Sequence, residues 1–364
     1  MAQDSPTSAP VTLHELRTRL REAGAGPLHE HRILRLWSNA LPRESGRRLP
    51  STFFPASLLA AMPDIEAQLA SLASIHTVEK AEDGSERLLI ALNDGQTVES
   101  VLLPRGGLCV SSQVGCAVGC RFCMTGRDGL LRQVGSAEIV AQVALARARR
   151  SVRKIVFMGM GEPAHNLDNV IEAIELLGTA GGIGHKNLVF STVGDPRVFD
   201  RLLQASVRPA LAVSLHTTKI DLRAELLPRA ARLTPEQLVD AAERYARTTG
   251  YPIQYQWTLL DGVNDGNDEI EGLVSLLSGK YGVLNLIPFN VVADTPYGRP
   301  SWERCRQMAA QLHRRGILTK LRNSAGQDVE GGCGQLRARA TQAGELPLRR
   351  AARGRAISIA TAAS

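Results

Sequence analysis

Apolar residues recur at three- and four-residue spacing in the first part of the chain. Leu13 to Ala23 and Leu28 to Ala40 follow this spacing, which predicts two short amphipathic helices, and Pro55 to Leu72 can hold a third. The preceding residues 1–12 are mostly polar and predict a disordered tail.

Apolar and polar residues then alternate singly, which is the pattern of strands with one buried face. The alternation runs from His76 to Leu103 and is interrupted at Asp83-Gly84 and Asp94-Gly95, pairs that favour tight hairpin turns. We therefore predict a β-meander. Together with the helices it forms a small N-terminal accessory region over residues 13–104.

From about Gly107 onwards, short apolar runs alternate with helix-like stretches, which defines a core over residues 105–336. Repeated β-α units of this kind predict an α/β fold with a parallel sheet, either doubly wound or closing towards a barrel. The strand-like runs are Leu108–Ser112, Lys154–Met158, Leu188–Thr192, Ala210–Leu215, Ile253–Leu260, Val283–Pro288 and Ile317–Leu321.

Signals for helix ends lie between these runs. Ser136 and Asn166 can each begin a helix. Thr234-Pro235-Glu236-Gln237 combines a capping box with proline at the first helical position, and Gly250 is suited to end that helix. The Ala- and Arg-rich residues 337–364 predict a weakly ordered tail.

Composition narrows the class of protein. The 44% hydrophobic and 22% charged residues are an ordinary globular balance, and only 4% aromatic residues argue against a base-stacking sheet. The net charge of +7 makes nucleic acid a reasonable partner, with Arg-rich segments such as Arg147 to Lys154 as candidate contacts. An excess of Arg can also reflect genome composition alone. Without a signal peptide or a membrane-length apolar run, we expect a soluble, cytoplasmic monomer.

Three cysteines follow one another at close spacing as Cys116-x-x-x-Cys120-x-x-Cys123. Three thiolates on one tight loop can each bind one iron of a cubane cluster, and Gly115 and Gly119 let the loop bend around it. The fourth iron then stays open to chelate S-adenosylmethionine (SAM). A structural zinc site is the alternative, but zinc sites commonly use two separated cysteine pairs or a histidine, and neither is adjacent.

The chain also resembles the RlmN/Cfr family of radical-SAM RNA methyltransferases. The resemblance spans roughly residues 99–336. Besides the cysteine motif, it is carried by Leu108-Cys109-Val110-Ser111-Ser112-Gln113-Val114-Gly115-Cys116, Gly159-Met160-Gly161-Glu162-Pro163, Ser191-Thr192-Val193-Gly194, Ser214-Leu215-His216, Asn285-Leu286-Ile287-Pro288-Phe289-Asn290 and Gly332-Cys333-Gly334-Gln335-Leu336.

The resemblance implies a partial (β/α)6 barrel, the reduced form of the eight-unit barrel. It also implies one 4Fe-4S cluster on Cys116, Cys120 and Cys123, and SAM as cofactor. The residues it assigns to SAM are Gly161, Glu162, Ser191, Ser214, Leu215, His216 and Asn290, all near predicted C-terminal strand ends. Taken singly, most of these residues would pass for strand-end turns or satisfied core polar groups.

The resemblance further implies a mechanism through a methylated cysteine. Cys333 receives a methyl group and links to an adenine carbon, and Cys109 then resolves the adduct through a transient disulfide. Glu99 matches the family's proposed base. By pattern alone, Cys109 would be structural, Glu99 would face solvent, and Cys305 is a small core residue.

The implied substrate is rRNA or tRNA, methylated at adenine C2 or C8, and the implied electron donor is a flavodoxin or a ferredoxin. A radical-SAM enzyme for another substrate and a metal-stabilised RNA-binding module without catalysis remain alternatives. The chain departs from the family's usual residues at Met124, at Gly129-Leu130-Leu131-Arg132-Gln133, at Gln256 and at Leu28-His29-Glu30-His31.

Overall fold

The computed structural model describes residues 9–292 and 294–338. Its N-terminal part is helical. Its helices are α1 (Leu13–Glu22), α2 (Pro27–Ser38), α3 (Pro50–Phe53) and α4 (Ala56–Ser71), so the three predicted helices are confirmed. Thr12 and Glu15 form a capping box at the start of α1. Thr12 and Val11, which we had assigned to a disordered tail, are ordered, and the Val11 carbonyl accepts a hydrogen bond from the Ala137 N–H at 3.2 Å.

Twelve strands follow within the described residues, and ten of them form one sheet. The strands are β1 (Ala73–Lys80), β2 (Glu86–Leu92), β3 (Thr97–Leu102), β4 (Gly107–Cys109), β5 (Gln113–Gly115), β6 (Leu130–Gln133), β7 (Lys154–Phe157), β8 (Leu188–Thr192), β9 (Ala210–Ser214), β10 (Ile253–Leu259), β11 (Gly282–Pro288) and β12 (Thr319–Leu321). The sheet order is β1-β2-β3-β4-β7-β8-β9-β10-β11-β12, and β5 pairs with β6 separately.

The predicted meander and the predicted parallel core share this sheet. Strands β1 to β4 pair antiparallel, whereas β4 and β7 to β12 pair parallel. The parallel part therefore has seven strands rather than six, although β4 and β12 are only three residues long. Over the described residues β1 and β12 are not hydrogen-bonded to each other, so the predicted partial barrel is confirmed as an open, mixed sheet.

Helices connect the parallel strands, as the β-α pattern predicts. They are α5 (Ser136–Arg147), α6 (Leu167–Gly178), α7 (Pro196–Gln204), α8 (Ile220–Leu226), α9 (Pro235–Thr249), α10 (Asn267–Leu277) and α11 (Trp302–Arg314). The Thr234 capping box and the left-handed Gly250 at the two ends of α9 are confirmed. At α5 the cap is Gly135 instead of Ser136, because the Ser136 hydroxyl accepts a hydrogen bond from the Leu13 N–H at 2.8 Å.

The two faces of the parallel sheet differ in side-chain size. Leu, Ile and Phe side chains of the strands pack against the helices in the main core, for example Ile155 and Phe157 of β7. The opposite face lines the inside of the partial barrel, here called the lumen, with the small side chains of Val156, Val189, Ala210 and Ala212. Small residues leave room for a bound molecule inside the lumen.

The segment after β12 crosses the open side of the sheet and contacts the meander. The Gly326 N–H donates to Asp83 Oδ2 at 3.0 Å, and the Glu82 N–H donates to Asp328 Oδ2 at 2.9 Å. A Cβ at Gly331 would stand 3.6 Å from the Val101 side chain on β3. The sheet is thus curved enough for its two edges to meet through this segment.

The Arg-rich stretch 147–154, proposed above for RNA contact, is largely used inside the fold. Arg147 donates to the carbonyl oxygens of Ser38 and Gly181, each at 2.9 Å. Arg150 donates to the Leu102 carbonyl oxygen at 2.8 Å. These bonds tie the accessory region to the core and engage both guanidinium groups within the fold, so RNA contact by this segment stays a prediction.

Over the described residues, no helix combines the length and the apolar character needed to cross a bilayer. Of the predicted C-terminal tail, the structure describes only Arg337 and Ala338, and residues 339–364 lie outside the described part.

Candidate active site

Strands β5 and β6 hold the two ends of the loop that carries the three clustered cysteines, residues 116–129, here called the cluster loop. Gly115 has a φ of +78°, and a Cβ there would stand 2.1 Å from the Gly129 carbonyl oxygen. Only glycine fits this entrance to the loop. The Cys116 N–H donates to the same oxygen at 2.8 Å and closes the loop at its base.

All three thiols of the cluster loop lie in one apolar cluster. Cys116 is buried, Cys120 and Cys123 are half-buried, and Phe122 and Met124 pack with them. Burial raises the pKa of Cys116 to about 12, and the neighbouring Cys123 contributes to the same shift. Burial also raises the pKa of Cys120, and both other thiols add to it. Crowded thiolates of this kind are stabilised when metal cations lie between them.

This donor set fits an iron–sulfur cluster. The three thiols lie on one short loop and in one apolar cluster, and each of Cys116 and Cys120 is close enough to Cys123 for the charge of that thiol to raise its pKa. Thiolates brought together in this way are the usual ligands of such a cluster. Cys116, Cys120 and Cys123 would hold three irons and leave the fourth open to SAM.

Gly161 and Glu162 follow β7 and pack against Gln113 of β5. A Cβ at Gly161 would stand 2.6 Å from the Gln113 Cβ, and the Glu162 N–H donates to Gln113 Oε1 at 2.8 Å. The Glu162 carboxylate accepts from the N–H groups of Ala164 and Val193 at 3.2 and 3.1 Å. Burial raises the pKa of Glu162 to about 7, although hydrogen bonds to the charged form lower it. Glu162 therefore ties the ends of β7 and β8 together, and its contact with SAM stays a prediction.

Ser191 on β8 and Ser214 on β9 share the lumen face with the small residues, and the following Leu215 is fully buried. Arg223 of α8 forms hydrogen bonds with the backbone at this edge of the sheet. It donates to the carbonyl oxygens of Ser214 and Leu215 at 2.9 and 2.6 Å, and to that of Val193. Burial lowers the pKa of Arg223 to about 10, and acidic groups nearby oppose the shift. The strand ends assigned to SAM are thus fixed by a buried cation.

His216 occupies a left-handed backbone position, with a φ of 62°. Its Nδ1 accepts from the Thr258 N–H at 3.0 Å, and its carbonyl oxygen accepts from Asn264 Nδ2 at 2.7 Å. The imidazole lies edge-on to Phe122 of the cluster loop, with the ring centres 4.8 Å apart. Burial, and then the charge of Arg223, lower the pKa of His216 to about 3, so the ring is neutral at physiological pH.

Asn290 lies just after β11 and is almost completely buried. Its Nδ2 donates to Ser324 Oγ at 2.8 Å and to the Cys333 carbonyl oxygen at 2.9 Å. Arg299 Nη2 donates to Asn290 Oδ1 at 3.4 Å and fixes which way the amide points. The residue predicted to contact SAM therefore also holds the segment that bears Cys333.

Cys333 is exposed on a loop that packs directly on the cluster loop. The Met124 N–H donates to the Gly334 carbonyl oxygen at 2.8 Å, and a Cβ at Gly334 would stand 3.2 Å from the Phe122 carbonyl oxygen. Desolvation by neighbouring protein atoms raises the pKa of the Cys333 thiol, while a hydrogen bond with the Ser324 side chain lowers it.

Cys109 ends β4 on the lumen face, paired with Val156. Burial raises the pKa of its thiol, the nearby Cys333 raises it further, and the Met158 N–H lowers it. Cys109 and Cys333 thus lie within electrostatic reach of each other, although 224 positions separate them along the chain (333 − 109).

Glu99 on β3 is only 2% exposed, so the expectation from its pattern that it faces solvent is wrong. The C-terminal segment covers it, and the Arg337 N–H donates to Glu99 Oε2 at 2.9 Å. Arg87 Nη1 contacts Glu99 Oε1 at 3.1 Å. Burial raises the pKa of Glu99, and the positive charge of Arg87 opposes this shift.

Three residues of this site escaped the sequence analysis as functional candidates. Gln113 and Arg223 support the strand ends assigned to SAM, and Ser324 bonds the Cys333 thiol. Gln113, a polar residue three positions before Cys116, was a usable signal. Nothing in the pattern around Arg223 or Ser324 distinguishes them from surface residues.

Comparison with known proteins agrees with this geometry. Residues 110–277 match the Radical SAM superfamily. A protein of Leptothrix cholodnii named "Probable RNA methyltransferase" is 70% identical over 89% of this chain and 93% of its own length. A protein of the same name from Dechloromonas aromatica is 62% identical over 92% of this chain and 94% of its own length.

A solved structure shows the same architecture. The crystal structure of a radical SAM methyltransferase from Sphaerobacter thermophilus is similar with a TM-score of 0.78 and 36% sequence identity. The similarity covers 90% of this chain and 98% of that one. The open mixed sheet, the three-cysteine loop and relatives that match nearly end to end lead to one conclusion. The chain belongs to the radical SAM RNA methyltransferases.

Proposed function

We propose that this enzyme methylates C2 or C8 of an adenine in rRNA or tRNA, through a methyl group carried on Cys333 and a transient disulfide with Cys109. Cys116, Cys120 and Cys123 would hold a 4Fe-4S cluster which, together with SAM, would supply the radical chemistry needed to remove hydrogen from an unactivated C–H bond. Such chemistry suits these carbons, because neither is nucleophilic enough for direct methyl transfer.

The observation that carries this proposal is the placement of Cys109 and Cys333. A radical SAM enzyme that acts directly on its substrate needs neither thiol. Here one thiol ends a lumen strand, the other lies on a loop packed against the cluster loop, and each is near the other. This arrangement is expected if one sulfur carries the methyl group and the other releases the product.

The final exchange can be written with these two sulfurs alone. Once the carbon on Cys333 is joined to adenine, the Cys109 thiolate attacks the Cys333 sulfur. The S–S bond forms as the S–C bond breaks, and the released carbon keeps the electron pair and takes up a proton to become the methyl group. External reductant must then restore both thiols.

Glu99 is suited to remove the proton that the new carbon replaces on adenine. Its burial raises the pKa of the carboxyl, which makes the carboxylate a stronger base than one in water. Its carboxylate also accepts a hydrogen bond from the Arg337 N–H. Arg337 lies four residues after Cys333 on the same segment of the chain (337 − 333). An electron donor such as a flavodoxin or a ferredoxin completes the set of partners.

A radical SAM enzyme for another substrate is the second candidate. It retains the cluster and SAM but gives Cys109 and Cys333 no role. A metal-stabilised RNA-binding module without catalysis explains them no better, and it is not favoured by relatives named as RNA methyltransferases.

Mass spectrometry of digested rRNA and tRNA from cells with and without the gene tests the proposal. One methyladenosine, with the methyl group on carbon, should disappear without the gene and return with the wild-type gene. It should not return with the Cys333→Ala gene. Identical methyladenosine profiles in all of these cells would exclude adenine as the target.

A further inference from the structure

Lys320 on β12 and Arg322, which directly follows this strand, face the lumen. Lys320 pairs with Asn285 in the register between β11 and β12. Arg322 lies on the same face, because its Nε donates to Asn285 Oδ1 at 2.9 Å. Leu321, between them, packs on the opposite face against the helices.

A third cation approaches from the far side of the lumen. Lys154 begins β7 and lies on the same face as the lumen residue Val156, while Ile155 packs into the main core. Four strands, β8 to β11, lie between β7 and β12 in the sheet, and the curvature of the sheet turns its two ends towards each other. Burial lowers the pKa of the Lys154 ammonium, and the charges of Arg322 and Lys320 lower it further.

No carboxylate neutralises this group, here called the cationic track (Lys154, Lys320 and Arg322). Within residues 9–292 and 294–338 none of the three takes part in an ion pair, and Arg322 bonds only a neutral amide and a backbone carbonyl. Like charges held together without an acid favour binding of an anion.

The cationic track leads to Cys333. Ser324 follows Arg322 by two residues, and its Oγ accepts from Asn290 Nδ2, which also donates to the Cys333 carbonyl oxygen. Two residues of extended chain span roughly 7 Å, the scale of one nucleotide of an extended strand. A phosphate held by Arg322 would therefore leave the base of its nucleotide within reach of the thiol.

We propose that the cationic track binds the backbone phosphates of the RNA strand that carries the target adenine. This inference rests on the proposed function, since it assumes an RNA substrate that presents its base at Cys333. The planar guanidinium of Arg322 can bind two phosphate oxygens at once, and the two lysines add point charge. RNA enzymes commonly reach a base by unstacking it while the backbone is held by cations.

Binding of a short single-stranded RNA of mixed sequence to the reconstituted full-length enzyme, measured at several salt concentrations, tests the inference. Lys154→Gln, Lys320→Gln and Arg322→Gln should each weaken binding several-fold and reduce the log–log salt slope by about 0.7 per lost phosphate contact. Lys186→Gln, which removes an exposed lysine from the turn before β8, is the matched control and should leave both unchanged. Lys320→Arg, which keeps the positive charge, should have the affinity and the salt slope of the wild-type enzyme.

Cluster absorbance and SAM cleavage without RNA should stay at wild-type level in the lumen variants, which shows that the fold is intact. If these variants bind RNA with wild-type affinity and slope, the inference is overturned while the proposed function stands. Equal loss of binding to adenosine monophosphate and to the RNA would also overturn it, since the track would then serve a free nucleotide. A wild-type enzyme that binds no RNA would overturn the proposed function itself.

Discussion

The Asn290 side-chain amide donates a hydrogen bond to the Cys333 carbonyl oxygen at 2.9 Å. Its other contact, with Ser324 Oγ at 2.8 Å, joins the residue that follows β11 to the residue that bonds the Cys333 thiol. The amide thus holds the cysteine segment at two places, and its orientation is set from behind by Arg299.

Asn290→Ala should loosen the segment around Cys333. Losing one hydrogen bond of this kind costs about 1 kcal/mol, which corresponds to roughly fivefold faster amide exchange where exchange follows local opening. Hydrogen–deuterium exchange of residues 331–336 measures this. Asn93→Ala, at an exposed asparagine in the turn between β2 and β3, is the control. Equal exchange in Asn290→Ala and wild type would show that the amide does not hold the segment.

The sequence pattern predicts strands well where they are locally encoded. The run Leu188–Thr192 is confirmed residue for residue, and the capped helix from Pro235 to Thr249 begins and ends at its predicted signals. In both cases the information is local, because a buried strand needs a short apolar run and a helix needs its own caps.

What the pattern misses depends on residues far apart in the chain. Glu99 reads as a solvent-facing strand residue, yet Arg337 covers it from 238 positions away. Gly135 replaces Ser136 as a cap because the Ser136 hydroxyl is used by Leu13. The pairing of Gln113–Gly115 with Leu130–Gln133 likewise joins strands too short to show a period. No window of sequence contains such contacts.

Replacing a cysteine of the cluster loop should remove the cluster altogether. Cys120→Ala leaves two thiolates for three irons, so anaerobically reconstituted protein should lose its iron, its sulfide and its cleavage of SAM. Cys305→Ala is the matched control, because Cys305 is buried on α11 in the main core. Iron and sulfide analysis reads out both. A full cluster in Cys120→Ala would contradict the ligand assignment.

Glu162→Ala should weaken SAM binding without changing the iron content. The carboxylate orders the Ala164 and Val193 N–H groups at the strand ends assigned to SAM, and losing a charged hydrogen-bond partner costs about 1.5–3 kcal/mol. Equilibrium dialysis with labelled SAM measures the loss. Glu175→Ala is the control and should bind SAM normally, because the Glu175 carboxylate accepts a hydrogen bond from the Ser206 N–H and not from the strand ends assigned to SAM. Unchanged affinity in Glu162→Ala would count against the placement of SAM.

His216 should make stability depend on pH below neutrality. Its folded pKa of about 3 lies below the ordinary value of 6.5, so between these values the unfolded chain binds a proton that the folded chain does not. Its contribution is therefore complete above pH 6.5 and is lost as the pH falls towards 3, by up to about 1.4 kcal/mol per pH unit.

Urea unfolding of the metal-free protein at several pH values between 6.5 and 4 tests this. These pH values lie between the folded pKa of about 3 and the ordinary pKa of 6.5, where His216 affects stability. His216→Asn is the comparison, because asparagine tolerates the left-handed backbone and can still accept from the Thr258 N–H. The difference in unfolding free energy between the two proteins should shrink as the pH falls. Parallel curves would show that His216 does not titrate as its burial requires.

The Cys109 and Cys333 variants should fail in different ways. Cys333→Ala has no sulfur to carry the methyl group, so it should give neither methyladenine nor a covalent RNA adduct. Its cluster should still form, because the thiols of the cluster loop are untouched. Cys109→Ala retains Cys333 and can still join it to adenine, but it lacks the thiolate that attacks the Cys333 sulfur.

Cys109→Ala should therefore accumulate protein crosslinked to RNA, and a thioether crosslink resists both denaturation and added thiols. Denaturing gels of RNA that copurifies with each variant separate the two outcomes, and Cys305→Ala, with its thiol buried on α11, should behave as wild type. The double variant decides the order of events. If Cys333 acts first, removing it must abolish the crosslink that Cys109→Ala alone accumulates. A crosslink that persists in the double variant would place the bond on another residue. Methyladenine formed by Cys109→Ala without any crosslink would show that Cys109 does not resolve the adduct.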